Sequence, residues 1–386
     1  MLGRRVGYLT NLPDDSTVFG FDAAYLEDPQ RPTLSLAFLN DDGSVNLQAA
    51  HRVQRLTPPF FSNLLPEGSL RALVARKLNV SAERDFPLLA ELGADLPGAV
   101  VLGSAEPVAP PPSEALTFSL PGVQLKLSAL LAENDALTIP AHGAGGDWIV
   151  KIGAGRYPGL VENEFSMMRF AEAVGIRVPN IRLVEPDHVK GLPPEFQSQG
   201  PAFAIERFDR ARGGTRVHVE DFNQVFAQFP HDKYERRTYG DVARVVYRHA
   251  GATDAYDLVR RLVFSIAIGN SDAHLKNWSL LYPDGRQPRL APAYDYVSTL
   301  TYDLDHRTAL SFGESKEPHD VDADRLRRFA RGADLSLKDV RSAARDVADA
   351  MSSQLHVLRG LPIFDDQCDA VERHVSTLVR QIHAIR

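Results

Sequence analysis

The stretch Gly269-Asn270-Ser271-Asp272-Ala273-His274-Leu275-Lys276-Asn277, followed by Pro292-Ala293-Tyr294-Asp295-Tyr296, gathers side chains suited to chemistry. Asp272 stands five positions before Asn277, and Asp295 follows on a separate run. Phosphoryl transfer needs this set: an aspartate to orient or deprotonate an attacking hydroxyl, an asparagine on the same loop to hold a metal, and a later aspartate to hold metal between phosphates. In that chemistry Asp272 takes the acceptor's proton, Asn277 and Asp295 ligate magnesium through hard oxygens, and Lys276 adds positive charge near the transferring group. The same Asp and Asn could equally hold a turn by bonding to the backbone. His274, taken with Asp272 and Asp295, could belong to a metal-dependent hydrolase, but no second histidine lies at a helical ligand spacing. The preferred reading has His274 prop the loop by hydrogen bonding.

These residues need elements to carry them. Asp254 to Ile268 places Leu258, Leu262, Val263 and Ile266 on one helical face and delivers the chain straight into the loop. Upstream, Asp147-Trp148-Ile149-Val150-Lys151-Ile152 reads as a buried strand with one lysine in it. An ammonium is costly to bury unless it is paired, so Lys151 points to a ligand phosphate or a carboxylate nearby. The alternative is a lysine on the solvent face of an edge strand. A helix from Val161 to about Ala173, ended by Gly175, offers Glu164 as the partner for Lys151, with Glu162 a weaker candidate. Strands follow at Ile181 to Val184 and Ala202 to Asp209. Later, Val340, Ala343, Val347 and Met351 mark one amphipathic helix, and Val371, Val375, Leu378 and Ile382 another.

The N-terminal part has a different texture. Arg5 to Leu9 and Pro32 to Leu39 alternate apolar and polar residues, broken by Asn40-Asp41-Asp42-Gly43, and are expected to be strands. Beyond Pro58-Pro59-Phe60-Phe61, the runs Ser69 to Arg76 and Pro87 to Leu92 have helical spacing. Pro107, Pro110, Pro111 and Pro112 then mark a linker. The expected organisation is an N-terminal domain over 1–104, a linker over 105–114, a sheet-rich lobe over 115–210 and a helical lobe over 211–386. Leu116 to Leu127 is strand-like but interrupted at Pro121-Gly122, and this turn carries one glycine where a phosphate-cradling loop usually has several.

Composition sets the outer limits. The 386 residues, 44% of them hydrophobic, can bury a large core split over two or three structural units. A net charge of -7 argues against nucleic-acid binding by bulk electrostatics. The single cysteine, Cys368, is expected to be a plain buried or helix-surface thiol. With no secretory or membrane-spanning pattern, the expected location is the cytoplasm, without membrane contact.

In this order, Ser119 to Lys126, Ile149-Val150-Lys151, Val161 to Glu164, Ile205 to Arg210, Asn270 to Asn277 and Pro292 to Asp295 resemble the HipA family of serine/threonine kinase toxins of toxin-antitoxin systems. The resemblance spans nearly the whole chain. It implies an α+β, two-lobed, protein-kinase-like fold with a small N-terminal α/β domain and a helical C-terminal lobe. Asp272 is then the catalytic aspartate, Asn277 and Asp295 hold Mg2+, and Lys151 contacts the phosphates of ATP. Glu206, Arg207 and Phe208 line the adenine at a hinge. The turn Pro121, Gly122, Val123, Gln124, Leu125 and Lys126 replaces the ordinary Gly-rich loop, and His274, Lys276 and Tyr294 join the nucleotide-binding set. Ser119 corresponds to a serine that is autophosphorylated, which would repel the loop from the nucleotide by adding charge of about -1.5 to -2. Asp295 is followed by Tyr296-Val297 rather than Phe-Gly, which fits this family better than conventional protein kinases. The implied partners are a protein substrate, such as an aminoacyl-tRNA synthetase, and a HipB-like helix-turn-helix antitoxin through which DNA is reached indirectly. A small-molecule kinase and a non-catalytic binding protein are the rival readings.

Overall fold

The computed structural model describes residues 1–49, 52–105, 125–131, 137–139, 145–153, 157–191, 200–211, 214–318 and 321–385. By internal packing they fall into two units, one of Met1–Ala154, Val184–Asp232 and Leu281–Gln287, the other of Gly155–Leu183, Lys233–Leu280 and Pro288–Arg386.

In the first unit, the opening strand Gly7–Asn11 pairs antiparallel with Ser16–Phe21. The turn between them places Asp15 at φ 63°. Pro32 to Leu39, expected as a strand, instead contains a short 3-10 turn over Leu36–Phe38. The reason is local. The Ser35 hydroxyl caps the N–H of Ala37, and the N–H of Leu36 goes to the Glu220 carboxylate, so groups that a sheet would use are taken by side chains. Gly68–Lys77 and Asp85–Leu92 are helical, as their spacing predicts, and a further short helix, Pro59–Ser62, precedes them. Asp85 is buried, pairs with Arg71 at 2.7 Å and accepts the N–H of Thr57 at 2.9 Å.

The larger sheet of this unit sets Ala202–Glu206, Trp148–Ile152, Leu125–Leu131, Leu137–Thr138 and Val189–Lys190 side by side in that order. The strand Trp148–Ile152 is therefore internal, with antiparallel neighbours on both sides, and not the edge strand of the alternative reading. Its apolar side chains join Phe19, Phe38, Phe60 and Leu89 in one continuous core. Burial of this apolar surface is the main force holding residues 1–103 to the sheet.

The second unit is helical, built on Leu160–Ala173, Tyr239–Ala250, Ala252–Ala267, Ala323–Ala333, Leu337–Gln354 and Asp365–Ala384. Ala252–Ala267 is almost wholly buried along its C-terminal half, and Leu337–Gln354, whose Val340, Ala343 and Val347 are buried, packs on it. Cys368 is buried in the last helix, where burial pushes its thiol up from the ordinary range. Among the described residues, no helix is long and apolar enough to cross a membrane.

Candidate active site

The helix Ala252–Ala267 ends at Gly269, which takes φ 68°. A Cβ here would lie 2.4 Å from Cγ of Leu300, so both the left-handed turn and the close packing require glycine. The chain then enters the loop that begins at Asn270, which is closed almost entirely by its own polar groups. The Asp272 N–H donates to Oδ1 of Asn270 at 3.0 Å. The Asp272 carbonyl accepts the His274 N–H at 2.8 Å and the Asn277 side-chain N–H at 2.9 Å. The Asn277 N–H returns to the His274 carbonyl at 3.0 Å.

Anchors from elsewhere in the second unit hold this loop. The Tyr239 hydroxyl and the Trp278 ring N–H both donate to the Ala273 carbonyl, at 2.9 and 3.2 Å. Thr299 donates its hydroxyl to the Gly269 carbonyl at 2.7 Å and accepts the N–H of Ser271 at 3.1 Å. The Tyr294 hydroxyl donates to the Lys276 carbonyl at 3.0 Å and shares a 2.5 Å bond with the Ser279 hydroxyl. Asn270 donates to the Asp295 carbonyl at 3.4 Å, and Asn163 clasps Ser298 through both its N–H and its carbonyl, at 2.9 and 3.0 Å. Asp272, Asn277 and Asp295 are only half-buried, while Ala273, His274, Leu275 and Lys276 are buried.

Asp295 has φ 56°, a left-handed conformation that an L-residue with a Cβ adopts at a cost of about 1–2 kcal/mol. Such strain persists where surrounding structure over-determines it, as Tyr294 and the Asn163 clasp do here, and it clusters at functional sites. Because Asn277 commits its amide nitrogen to Asp272, its carbonyl oxygen is the end left to meet a cation. An amide oxygen and a carboxylate are hard donors of the kind that hold magnesium, which completes its shell with phosphate oxygens and water. Among the described residues, no three His, Cys, Asp or Glu side chains gather as a metal-holding group, and magnesium bound in this way needs none.

Lys151 and Lys126 lie directly opposite one another in the first unit's sheet, both buried. The Lys151 ammonium also stands 5.5 Å from the Phe203 ring centre.

Residues 1–103 match the model of the HipA N-terminal domain, and residues 118–355 match that of the HipA-like C-terminal domain. The chain belongs to the HipA family. It is 43% identical over 395 residues to a Sinorhizobium fredii protein named "Putative kinase Y4dM", with 98% of this chain and 96% of that protein covered. It is 25% identical over 422 residues to the serine/threonine-protein kinase toxin HipA of Shewanella oneidensis, covering 95% of this chain and 90% of that one. The Shewanella oneidensis HipA solved with HipB and operator DNA shares the fold, with a TM-score of 0.76 at 22% identity over 98% of this chain and 95% of that one. The α+β HipA fold expected from the sequence is thus observed.

Among the residues expected to act in a HipA protein, the structure brings together Asp272, His274, Lys276, Asn277, Tyr294 and Asp295 in the second unit, which also contains the buried Glu164. Lys126, Lys151, Glu206, Arg207 and Phe208 belong to the first unit. Ser119, Pro121, Gly122, Val123 and Gln124 lie outside the described residues, and Leu125 is described in its backbone alone. The Arg207 side chain is fully buried and forks onto Asp209 at 3.0 and 2.9 Å. Any hinge role at this position falls to its backbone. Sequence reasoning missed Asn163, Tyr234 and Thr299. Asn163 left a trace, an amide on the core face of an amphipathic helix, a position that demands buried partners. Tyr234 and Thr299 are brought to the loop by tertiary packing and left none.

Proposed function

We propose that this chain is an ATP- and magnesium-dependent serine/threonine protein kinase. The observation that carries this reading is the loop in which the Asn277 side chain donates to the Asp272 carbonyl at 2.9 Å, with Asp272 and Asn277 both only half-buried. Asp272 accepts the proton of an acceptor hydroxyl as its oxygen bonds to the terminal phosphorus of ATP. The bond from that phosphorus to the bridging oxygen breaks, and ADP leaves. Asn277 and Asp295 hold magnesium, whose charge offsets that of the phosphates. Lys151 and Lys126 bind phosphate oxygens, Lys276 adds positive charge, and the backbone of Glu206, Arg207 and Phe208 lines the adenine. Glu164 supports Lys151, and Ser119 is the site of autophosphorylation. Residues 1–104 form the N-terminal domain and 105–114 the linker.

The relatives' names extend the reading to a toxin with a HipB-like, DNA-binding antitoxin as partner, and the family resemblance adds a cytoplasmic location and a translation component, such as an aminoacyl-tRNA synthetase, as protein substrate. The net charge of -7 suits a chain whose DNA contact is supplied by that partner. Incubation of the full chain with ATP and magnesium, followed by mass mapping, tests the proposal. Phosphate should appear on serine or threonine of the wild type and be absent from Asp272→Asn. Transfer that survives in Asp272→Asn, or a wild type that transfers phosphate only to an added metabolite, would overturn it.

A further inference from the structure

A carboxylate that takes a proton must present one chosen oxygen to the acceptor, and the torsion that turns it is soft. The bonds of the Asp272 N–H and carbonyl within the loop fix its main chain, and the plane of its carboxylate is set by what meets the side chain. The side chain is met from outside the loop. The Tyr234 hydroxyl donates to Oδ1 of Asp272 at 2.6 Å, a length typical of an O–H bonded to a charged oxygen.

Tyr234 is 39% exposed, yet its ring is held. The Lys233 ammonium stands 5.5 Å from its centre, and the His274 ring meets it edge-on at 5.1 Å. The Lys233 carbonyl accepts the Leu275 N–H at 3.2 Å, which stitches this segment to the loop itself. The phenol therefore has a fixed position relative to Asp272.

We propose that Tyr234 is a positioning residue of the transfer reaction: by occupying Oδ1 of Asp272 it turns Oδ2 toward the acceptor hydroxyl. This rests on Asp272 being the proton acceptor. The phenol keeps its own proton throughout, so the proton released by the acceptor goes to Oδ2 and the balance of the step is unchanged. Phenylalanine keeps the ring and its contacts with Lys233 and His274 while removing the one donor.

The test compares wild type, Tyr234→Phe and Asp272→Asn as full chains with ATP and magnesium. The rate of phosphate incorporation at saturating ATP, the ATP concentration for half-maximal rate, the melting temperature and the phosphosites are measured for each. Tyr234→Phe should lose about tenfold to a hundredfold in maximal rate, the worth of one hydrogen bond to a charged group. Its half-saturating ATP and melting temperature should match the wild type. A wild-type maximal rate in Tyr234→Phe, or a loss matched by an equal rise in half-saturating ATP, would overturn the inference. So would phosphate mapped on Tyr234, since that hydroxyl would then be an acceptor and not a prop. Survival of transfer in Asp272→Asn removes the underlying reading as well, whereas its loss beside an unaffected Tyr234→Phe removes only the role of Tyr234.

Discussion

Two aspartates, Asp209 in the first unit and Asp272 in the second, show how the same side chain is set to opposite tasks. Asp209 is buried, and burial alone would raise its pKa. The Arg207 charge and fork, Arg210 at 2.7 Å and the Gly98 N–H at 2.7 Å more than reverse this and bring it down to about 2. Asp95 extends the cluster, pairing with Arg207 at 3.3 Å and Arg210 at 2.9 Å. Both oxygens of Asp209 are spoken for and the group is chemically inert. Asp272 is only half-buried, and its Oδ1 accepts from the neutral Tyr234 hydroxyl. A carboxylate buried among guanidinium groups serves architecture, and one on a half-buried loop is suited to chemistry.

Exchanging each aspartate for asparagine breaks or sharpens this contrast. Asp272→Asn should cost about 10²–10⁴-fold in transfer rate, the usual size of a general-base loss, and leave the denaturant midpoint unchanged. Asp209→Asn should do the reverse in kind. It leaves two buried guanidinium groups facing Asp95, and removing one partner of a buried pair costs roughly 3–5 kcal/mol, read as a lowered denaturant midpoint. The sign with pH is definite, because the pKa of Asp209 is depressed. Its contribution is complete above the unfolded value of 3.8 and is lost as pH falls through about 2. Equal destabilisation by both changes would erase the distinction.

How much of this could be read in advance follows from the range of the forces involved. Helix Ala252–Ala267 and the loop after it were legible because periodicity, a terminal glycine and the Asp-to-Asn spacing are local signals. The strand around Lys151 was legible too, since it is apolar, but its internal place in the sheet, which buries the lysine, is set by the strands paired on either side. What escaped was set by distant partners. The Leu36–Phe38 turn exists because Glu220 captures Ser35 and Leu36, and nothing in Pro32 to Leu39 announces a carboxylate so far along the chain. Arg207 carries the same lesson within the motif Glu206-Arg207-Phe208-Asp209. Its sequence neighbours suggested a ligand edge, while its side chain is drawn inward by Asp95 and Asp209. Tyr234 reaches Asp272 from 38 positions away.

A third buried group in the first unit tests the rule that inert charges are paired. Glu220 accepts from Ser35 at 2.5 Å, from Leu36 and from Tyr282, but meets no cation in these bonds. Burial pushes its pKa up to about 7, helped by Asp221, against the lowering effect of those donors. Two residues away, buried His218 is held down to about 4 by burial and the Met1 amino group, against the bond to the Leu34 carbonyl and the charge of Asp209. The two act on stability in opposite senses. The raised Glu220 contributes fully below 4.5 and loses this as pH rises through about 7, a term on the order of 3 kcal/mol. The depressed His218 contributes fully above 6.5 and loses a similar amount as pH falls through about 4. Between these limits they offset each other, and wild-type stability should be nearly flat. Glu220→Gln keeps the shape and removes one side of the balance. Denaturation of that variant should show stability rising by about 3 kcal/mol from pH 4 to 6.5, and a flat profile would refute the offset.

The smallest effect concerns Asp295, where chemistry and architecture meet in one residue. Its φ of 56° strains any side chain with a Cβ, while its carboxylate is a candidate magnesium ligand. Asp295→Ala removes the carboxylate and keeps the strain, whereas Asp295→Gly removes both. Both variants should lose magnesium-dependent transfer to the same degree. In stability, glycine should exceed alanine by about 1 kcal/mol, the left-handed penalty less the greater chain entropy that glycine surrenders on folding. Matched denaturant curves of the two variants isolate this difference, since the lost carboxylate is common to both. If alanine proved as stable as glycine, the loop would relax on losing its carboxylate. The backbone at this position would then be shaped by the side chain's own bonds, and not by Tyr294 and the Asn163 clasp around it.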